Sequence, residues 1–83
     1  QKNLMEPLSV ELAPHASTAE DVPHEGEEFG FVLEGKITLI LGKKKYVCHA
    51  GESFYYSADR PHKISNESDA KASFLWISSP PNF

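Results

Sequence analysis

Apolar residues recur along the chain in short runs that turn-forming residues separate. Leu8, Val10 and Leu12 alternate with polar residues, and no longer stretch keeps the helical period of about 3.6 residues. The pattern predicts seven short strands, at residues 8–12, 28–33, 36–41, 45–48, 53–56, 62–65 and 71–78. Strands this short, with turns every ~8–12 residues, are typical of an all-β sandwich or barrel with little or no helix.

The segments between the strands carry turn signals. Glu34-Gly35 lies between two strands and predicts a tight hairpin, because glycine reaches positive φ at little cost. Residues 14–23 are poor in apolar side chains and are expected to form a loop. Pro80-Pro81 ends the last strand, since proline has no N–H to donate to a ladder.

The composition describes one small acidic domain. A net charge of −4 over 83 residues argues against a nucleic-acid-binding surface on this segment. The single cysteine, Cys48, excludes an internal disulfide and is expected to be a buried apolar residue. No window approaches the roughly 20 apolar residues of a membrane span. We expect one cytoplasmic domain over residues 1–83, with irregular ends at 1–7 and 80–83.

Three residues of metal-binding types stand near the ends of predicted strands. Glu28 shares a strand face with Gly30 and Val32, and if that face lines the interior, its carboxylate needs a cation, a donor or a proton. His24 lies just before this strand, and His62 begins a later one. Two histidines and one carboxylate are the ligand set of many non-haem Fe(II) sites, and they also suit Mn, Ni or Zn.

The spacing around Glu28 resembles the first sequence motif of the cupin superfamily. That motif is His-x-His, three or four residues, Glu, six residues and Gly. Here Val22, His24, Glu28 and Gly35 keep the frame, with valine where the first histidine belongs.

The second cupin motif is Gly, five residues, Pro-x-Gly, two residues, His, three residues and Asn. The register is kept by Gly51, Ser57, Asp59, His62 and Asn66, with serine and aspartate in place of the proline and the following glycine. The resemblance extends over residues 8–81.

This resemblance implies a small antiparallel jelly-roll β-barrel. Cupins usually hold a metal through three histidines and one glutamate, so the implied ligands are His24, Glu28 and His62. The fourth is missing at Val22, and His15, in the preceding loop, lies outside the motif spacing. A bound Fe, Mn, Ni or Zn ion and a metal-free barrel both remain open at this point.

Pocket walls and core are nearly the same positions in a barrel this small. Tyr56 and Trp76 are therefore candidate residues of a ligand pocket. Val22, which stands where the motif has its first histidine, is a third candidate. Asn66 is expected to be structural, with its side chain bonded to nearby backbone.

The opposite face of the Glu28 strand is unusually apolar. Phe29, Phe31 and Leu33 would share that face, and they are too apolar to lie open to solvent. Either the strand at residues 8–12 covers them or a symmetric partner chain does, and we expect a homodimer.

Three segments resemble the C-terminal cupin of bacterial helix-turn-helix transcriptional regulators: PHEGEEFGFVLEGKITLILG, AGESFYYSADRPHKISN and FLWISSPPNF. In those regulators the cupin is taken to sense a small molecule and to support dimerisation. The resemblance implies an effector-sensing domain that contacts DNA only through an N-terminal domain absent from this chain. A start at glutamine fits a piece of a longer protein.

Two other functions fit the same residues. The first is a small metal-dependent enzyme of the dioxygenase or isomerase type, with the metal at His24, Glu28 and His62 as Lewis acid or oxygen-activating centre. No separate nucleophile or acid–base pair is evident, so we assign no catalytic residue and favour a non-enzymatic domain. The second is a dimerisation domain with a vestigial pocket.

Overall fold

The computed structural model describes residues 4–81, which form seven strands and no helix. The strands are β1 (Glu6–Leu12), β2 (Glu27–Glu34), β3 (Lys36–Leu41), β4 (Lys44–His49), β5 (Ser53–Ser57), β6 (His62–Ser65) and β7 (Ala72–Ser79). All seven were predicted, because the turn residues that separate them are explicit in the sequence. Gly35, between β2 and β3, has φ of 75°, so the predicted glycine turn is present. The predicted hairpin is wrong, because β2 and β3 belong to different sheets and the turn carries the chain from one sheet to the other.

Two antiparallel sheets face each other across one core. The larger sheet has the order β1-β7-β2-β5 and the smaller has the order β4-β3-β6. The predicted all-β architecture of antiparallel strands is confirmed within residues 4–81. β5 is an edge strand of the larger sheet and β4 is an edge strand of the smaller one. These two strands do not pair with each other, so the two sheets stay separate along this side.

The inner face of β2 carries the site residue. Glu28 and Val32 are buried there, as the period of two predicted. Gly30 lies between them, opposite Phe54 in the β2–β5 register. A side chain at Gly30 would overlap the ring of Phe54, so this glycine lets an aromatic ring pack against the backbone of β2 between Glu28 and Val32.

The outer face of the larger sheet is apolar and open to solvent. Phe29, Phe31 and Leu33 are 40%, 36% and 49% exposed. Because β1 pairs with β7 as the edge of the same sheet, the expectation that residues 8–12 cover this face is wrong.

Residues 13–26 form a long loop that runs beside β6. The N–H of Thr18 donates to the carbonyl of Ile64 at 2.9 Å, and the N–H of Asp21 donates to the carbonyl of His62 at 2.8 Å. The N–H of His24 donates to the carbonyl of Ala58 at 2.8 Å. These main-chain hydrogen bonds hold the loop in a defined position, although its composition predicts only that it is a loop.

Asn66 ties the start of this loop to the turn after β6. Its amide nitrogen donates to the carbonyls of Leu12, Ala13 and Ala70 at 3.1, 3.2 and 2.7 Å. Its side-chain oxygen accepts from the backbone N–H and hydroxyl of Ser68 at 3.1 and 2.7 Å. The predicted structural role is confirmed, and it extends beyond the local turn to the end of β1.

Candidate functional site

His24, Glu28 and His62 meet at one point inside the barrel. One ligand-type atom from each residue lies within 4.8 Å of the other two. Glu28 Oε2 is 3.3 Å from His24 Nε2 and 3.6 Å from His62 Nε2. The side chains of Glu28 and His62 are fully buried, and that of His24 is 15% exposed. Strand β2, the loop before it and the start of β6 thus converge as the motif spacing implied.

The two oxygens of Glu28 have different surroundings. Oε1 accepts hydrogen bonds from the hydroxyl of Tyr56 and, at 2.9 Å, from the indole N–H of Trp76. Oε2 accepts none from residues 4–81 and faces the two imidazoles. The donors therefore fix the carboxylate plane and turn Oε2 towards the histidines.

Backbone carbonyls select the tautomer of both histidines. His24 Nδ1 is 3.1 Å from the carbonyl oxygen of Glu25, and His62 Nδ1 is 2.8 Å from that of Arg60. A carbonyl oxygen can only accept, so each Nδ1 carries the hydrogen and donates it. In the neutral imidazoles the lone pairs are consequently on Nε2, the two atoms that face Glu28.

These atoms form a cluster of acceptors without a donor. Within the described part of the chain, His24 Nε2, His62 Nε2 and Glu28 Oε2 are buried and have no hydrogen-bond partner. An unpaired buried carboxylate costs several kcal/mol, so protons on the rings or a cation must compensate it. Two atoms bound to one ion at about 2.0–2.2 Å lie roughly 2.8–3.6 Å apart. This range includes the 3.3 and 3.6 Å that separate Glu28 Oε2 from the two histidine nitrogens. The residues fit a divalent metal.

Tyr56 acts in this site as a permanent donor. Burial, followed by its hydrogen bond to Glu28, raises the pKa of the Tyr56 hydroxyl well above its ordinary value of 10.0. The hydroxyl stays protonated at neutral pH and holds Glu28 Oε1. Its ring also packs 5.3 Å from that of His62, centroid to centroid.

A cavity of about 640 Å³ opens between β4 and β5. It lies where the edge strands of the two sheets meet, and its wall includes Leu39, Phe54, Tyr56 and Arg60. Tyr56 joins the cavity and the cluster, because it lines the cavity and its hydroxyl donates to Glu28.

The other candidate residues lie in different surroundings. Trp76 is buried and bonded to Glu28, whereas Val22 is 75% exposed. His15 pairs with Asp69 at 2.7 Å on the surface, with its side chain 64% exposed. Cys48 is buried as expected, and burial raises the pKa of its thiol.

One residue of the site was missed from the sequence. Asp21 Oδ2 lies 3.5 Å from His62 Nε2, and its side chain is 36% exposed. The sequence did offer one indication: Asp21 is an acidic residue directly before Val22, the position at which the motif lacks its first histidine. The motif frame alone drew attention to Val22 instead.

The sequence model of the "Cupin domain" family, Cupin_2, matches residues 8–78. The chain belongs to the cupin family. This cupin is 36% identical over 70 residues to the HTH-type transcriptional regulator PuuR of Escherichia coli K12, a match that covers 84% of this chain and 38% of that protein. The chain thus spans less than two fifths of the length of this curated relative.

Solved structures support the cupin fold. The Cupin_2 domain of an XRE family transcriptional regulator from Enterobacter cloacae superposes with a TM-score of 0.84 at 23% identity, over 95% of this chain and 84% of that one. A sugar phosphate isomerase of the cupin superfamily from Silicibacter pomeroyi superposes with a TM-score of 0.80 at 24% identity, over 95% of this chain and 52% of that one. At these identities the two structures show only that the fold is shared. The relation of this cupin to the cupin domains of transcriptional regulators rests on its match to PuuR.

Residues 4–81 contain no helix that is long and apolar enough to cross a membrane.

Proposed function

We propose that this cupin is the effector-sensing domain of a bacterial helix-turn-helix regulator, and that its buried cluster binds a divalent cation. One observation carries the proposal: Nε2 of His24, Nε2 of His62 and Oε2 of Glu28 face one another with no donor among the described residues. The relation to PuuR, 36% identical over 84% of this chain, supports the regulatory context.

His24, Glu28 and His62 would hold the cation, which can be Fe, Mn, Ni or Zn on ligand type. Such an ion supplies a Lewis-acidic centre for an oxygen of the effector. The protein's own contribution is orientation: the carbonyls of Glu25 and Arg60 fix the rings, and Tyr56 fixes the carboxylate. Partners of this kind keep ligands in place without reorganisation when the ion binds.

The cavity between β4 and β5 is our candidate for the effector site. Its wall combines apolar and aromatic residues with a nearly equal share of polar surface, including Asp59 and Arg60, and polar groups placed among apolar ones can orient a small molecule. An effector there would contact Tyr56, whose hydroxyl is bonded to Glu28. Binding in the cavity and binding at the cluster are therefore expected to influence each other.

The outer face of the larger sheet is our candidate for the homodimer interface. Ile77 lies in register between Pro7 of β1 and Phe29 of β2, and Phe29 lies opposite Tyr55 of β5. This row crosses all four strands, and a symmetric partner would bury it. DNA would be bound by another domain of the full-length protein, and the cytoplasmic location stays a prediction.

A metal-dependent enzyme is the second candidate. Two histidines and one carboxylate at one buried point are the ligand set of non-haem Fe(II) oxygenases, and this observation favours it. The chemical fate of the bound molecule separates the two functions. A sensor releases its ligand unchanged, whereas an enzyme converts it.

The full-length protein encoded by the reading frame that contains this chain provides the test. Native mass spectrometry identifies the small molecule that co-purifies with it, and fluorescence anisotropy measures its affinity for the DNA upstream of its own gene. We expect the added molecule to change that affinity by about 5–150-fold and to be recovered unchanged. Conversion of the molecule would favour the enzyme, and a reading frame without a helix-turn-helix would overturn the regulator.

A further inference from the structure

We propose that Asp21 supplies a fourth metal ligand of the cluster, in place of the histidine that the motif position at Val22 lacks. This inference rests on the proposed cation site at His24, Glu28 and His62. It changes the ligand set from two histidines and one carboxylate to two histidines and two carboxylates.

The main chain places Asp21 beside His62. The two residues form an isolated antiparallel bridge in which each donates to the other: Asp21 N–H to the His62 carbonyl at 2.8 Å, and His62 N–H to the Asp21 carbonyl at 3.2 Å. Residues paired in this way have side chains on the same face. Successive residues in extended chain alternate in direction, and Val22 is accordingly 75% exposed.

The carboxylate of Asp21 faces the lone pair of His62. Asp21 Oδ2 lies 3.5 Å from His62 Nε2, the same atom that lies 3.6 Å from Glu28 Oε2. Since His62 Nδ1 is committed to the carbonyl of Arg60, Nε2 in the neutral ring has no hydrogen to offer either carboxylate. Asp21 thus adds another acceptor beside the cluster.

Charge balance supports the same assignment. Two carboxylates and two neutral imidazoles together carry two negative charges, which one divalent cation neutralises. With Glu28 as sole carboxylate, a buried divalent site keeps one uncompensated positive charge, and burying net charge is costly. Carboxylate oxygen is also a ligand that Fe, Mn and Zn accept readily.

Asp21 could instead pair with a protonated His62 and have no part in metal binding. The two arrangements differ in what removal of the carboxylate changes. If Asp21 is a ligand, removing its carboxylate lowers the affinity for metal. If Asp21 only pairs with a protonated His62, removing it lowers the stability of the metal-free protein and leaves the affinity for metal unchanged.

Isothermal titration calorimetry with Ni²⁺ on the 83-residue chain separates these arrangements, with folding of each variant checked by circular dichroism. Asp21→Asn is nearly isosteric and keeps the backbone bridge, and Asp21→Ala removes the carboxylate altogether. Glu20→Gln is the matched control, because Glu20 is an exposed acid of the same loop. His62→Ala removes a ligand of the underlying site. Thermal unfolding of the metal-free proteins is measured in parallel.

We expect Asp21→Asn and Asp21→Ala to weaken Ni²⁺ binding by at least about tenfold, with Glu20→Gln unchanged. Unchanged Ni²⁺ affinity in both Asp21 variants, with binding lost in His62→Ala, would overturn the role of Asp21 and leave the cation site standing. No saturable binding by the unsubstituted chain would overturn both. A lower metal-free melting temperature in Asp21→Asn without any change in Ni²⁺ affinity would assign Asp21 to an ion pair and contradict the proposal.

Discussion

The hydroxyl of Tyr56 donates to Oε1 of Glu28, and this bond decides which carboxylate oxygen meets the histidines. Trp76 donates to the same oxygen at 2.9 Å. Oε2 is left 3.3 Å from His24 Nε2 and 3.6 Å from His62 Nε2. The geometry of the candidate metal site therefore depends on a tyrosine that is not itself one of its ligands.

Tyr56→Phe is expected to weaken both the fold and the site. Loss of a hydrogen bond to a buried carboxylate should lower the free energy of unfolding by about 1–3 kcal/mol. Loss of a group that orients a ligand should weaken Ni²⁺ binding by roughly 10–100-fold. Tyr55→Phe is the control, because Tyr55 lies on the outer face and is 63% exposed. Urea unfolding and calorimetry measure the two effects, and equal results for the two variants would contradict this role of Tyr56.

Alkaline pH should destabilise the protein through Tyr56. Its folded-state pKa is raised above the ordinary value of 10.0, so its contribution to stability is fully present below that pH. Above it, the unfolded chain releases a proton that the folded chain retains, and the free energy of unfolding falls as the pH rises. Comparison with Tyr56→Phe between about pH 9 and 11 isolates the effect from other groups. The difference in stability between the two proteins should shrink across this range, and a constant difference would contradict the prediction.

Asn66→Ala should destabilise the domain strongly. Asn66 is fully buried and bonds to the backbone on both sides of the long loop, at Leu12 and Ala70 among others. Its loss leaves several buried polar groups unpaired, and we expect a decrease of about 2–4 kcal/mol in the free energy of unfolding. Glu67→Gln, at an exposed neighbour, should change it by less than about 0.5 kcal/mol. Similar losses in the two variants would refute the bridging role.

Phe31→Arg should convert a homodimer into a monomer. Phe31 lies opposite Leu75 on the outer face of the larger sheet, and a charge there would be buried in the proposed interface. Val47→Arg is the control, because Val47 is also apolar and exposed but lies on β4 in the other sheet. Sedimentation velocity should give a dimer for the unsubstituted chain and for Val47→Arg. A monomer in all three proteins, or a dimer in all three, would exclude this interface.

The strands could be predicted because their signal is local. Alternation along β2 places Glu28 inside and Phe29 outside, and the turn residues mark both ends of each strand. Motif spacing also identified His24 and His62 as companions of Glu28, since those positions lie at fixed distances from the turns. The route of the loop was not predictable, because its register with β6 depends on contacts such as Thr18 to Ile64 that leave no periodic pattern.

For the same reason the sequence did not reveal Asp21. The motif frame counts residues, and it assigns the missing ligand to Val22. In the fold the backbone bridge turns Asp21 towards His62 and leaves Val22 exposed, a shift of one residue that reverses the side chain's direction.

The metal content of the protein tests the central claim most directly. Elemental analysis is performed on untagged protein purified without chelators, alongside Glu28→Gln and Glu27→Gln. The two acids are neighbours in the sequence, but Glu28 is buried at the cluster and Glu27 is exposed. We expect about one Fe, Mn, Ni or Zn ion per chain in the unsubstituted protein and in Glu27→Gln, and almost none in Glu28→Gln. Metal-free protein in all three preparations that also binds none of these ions when they are added back would contradict the account.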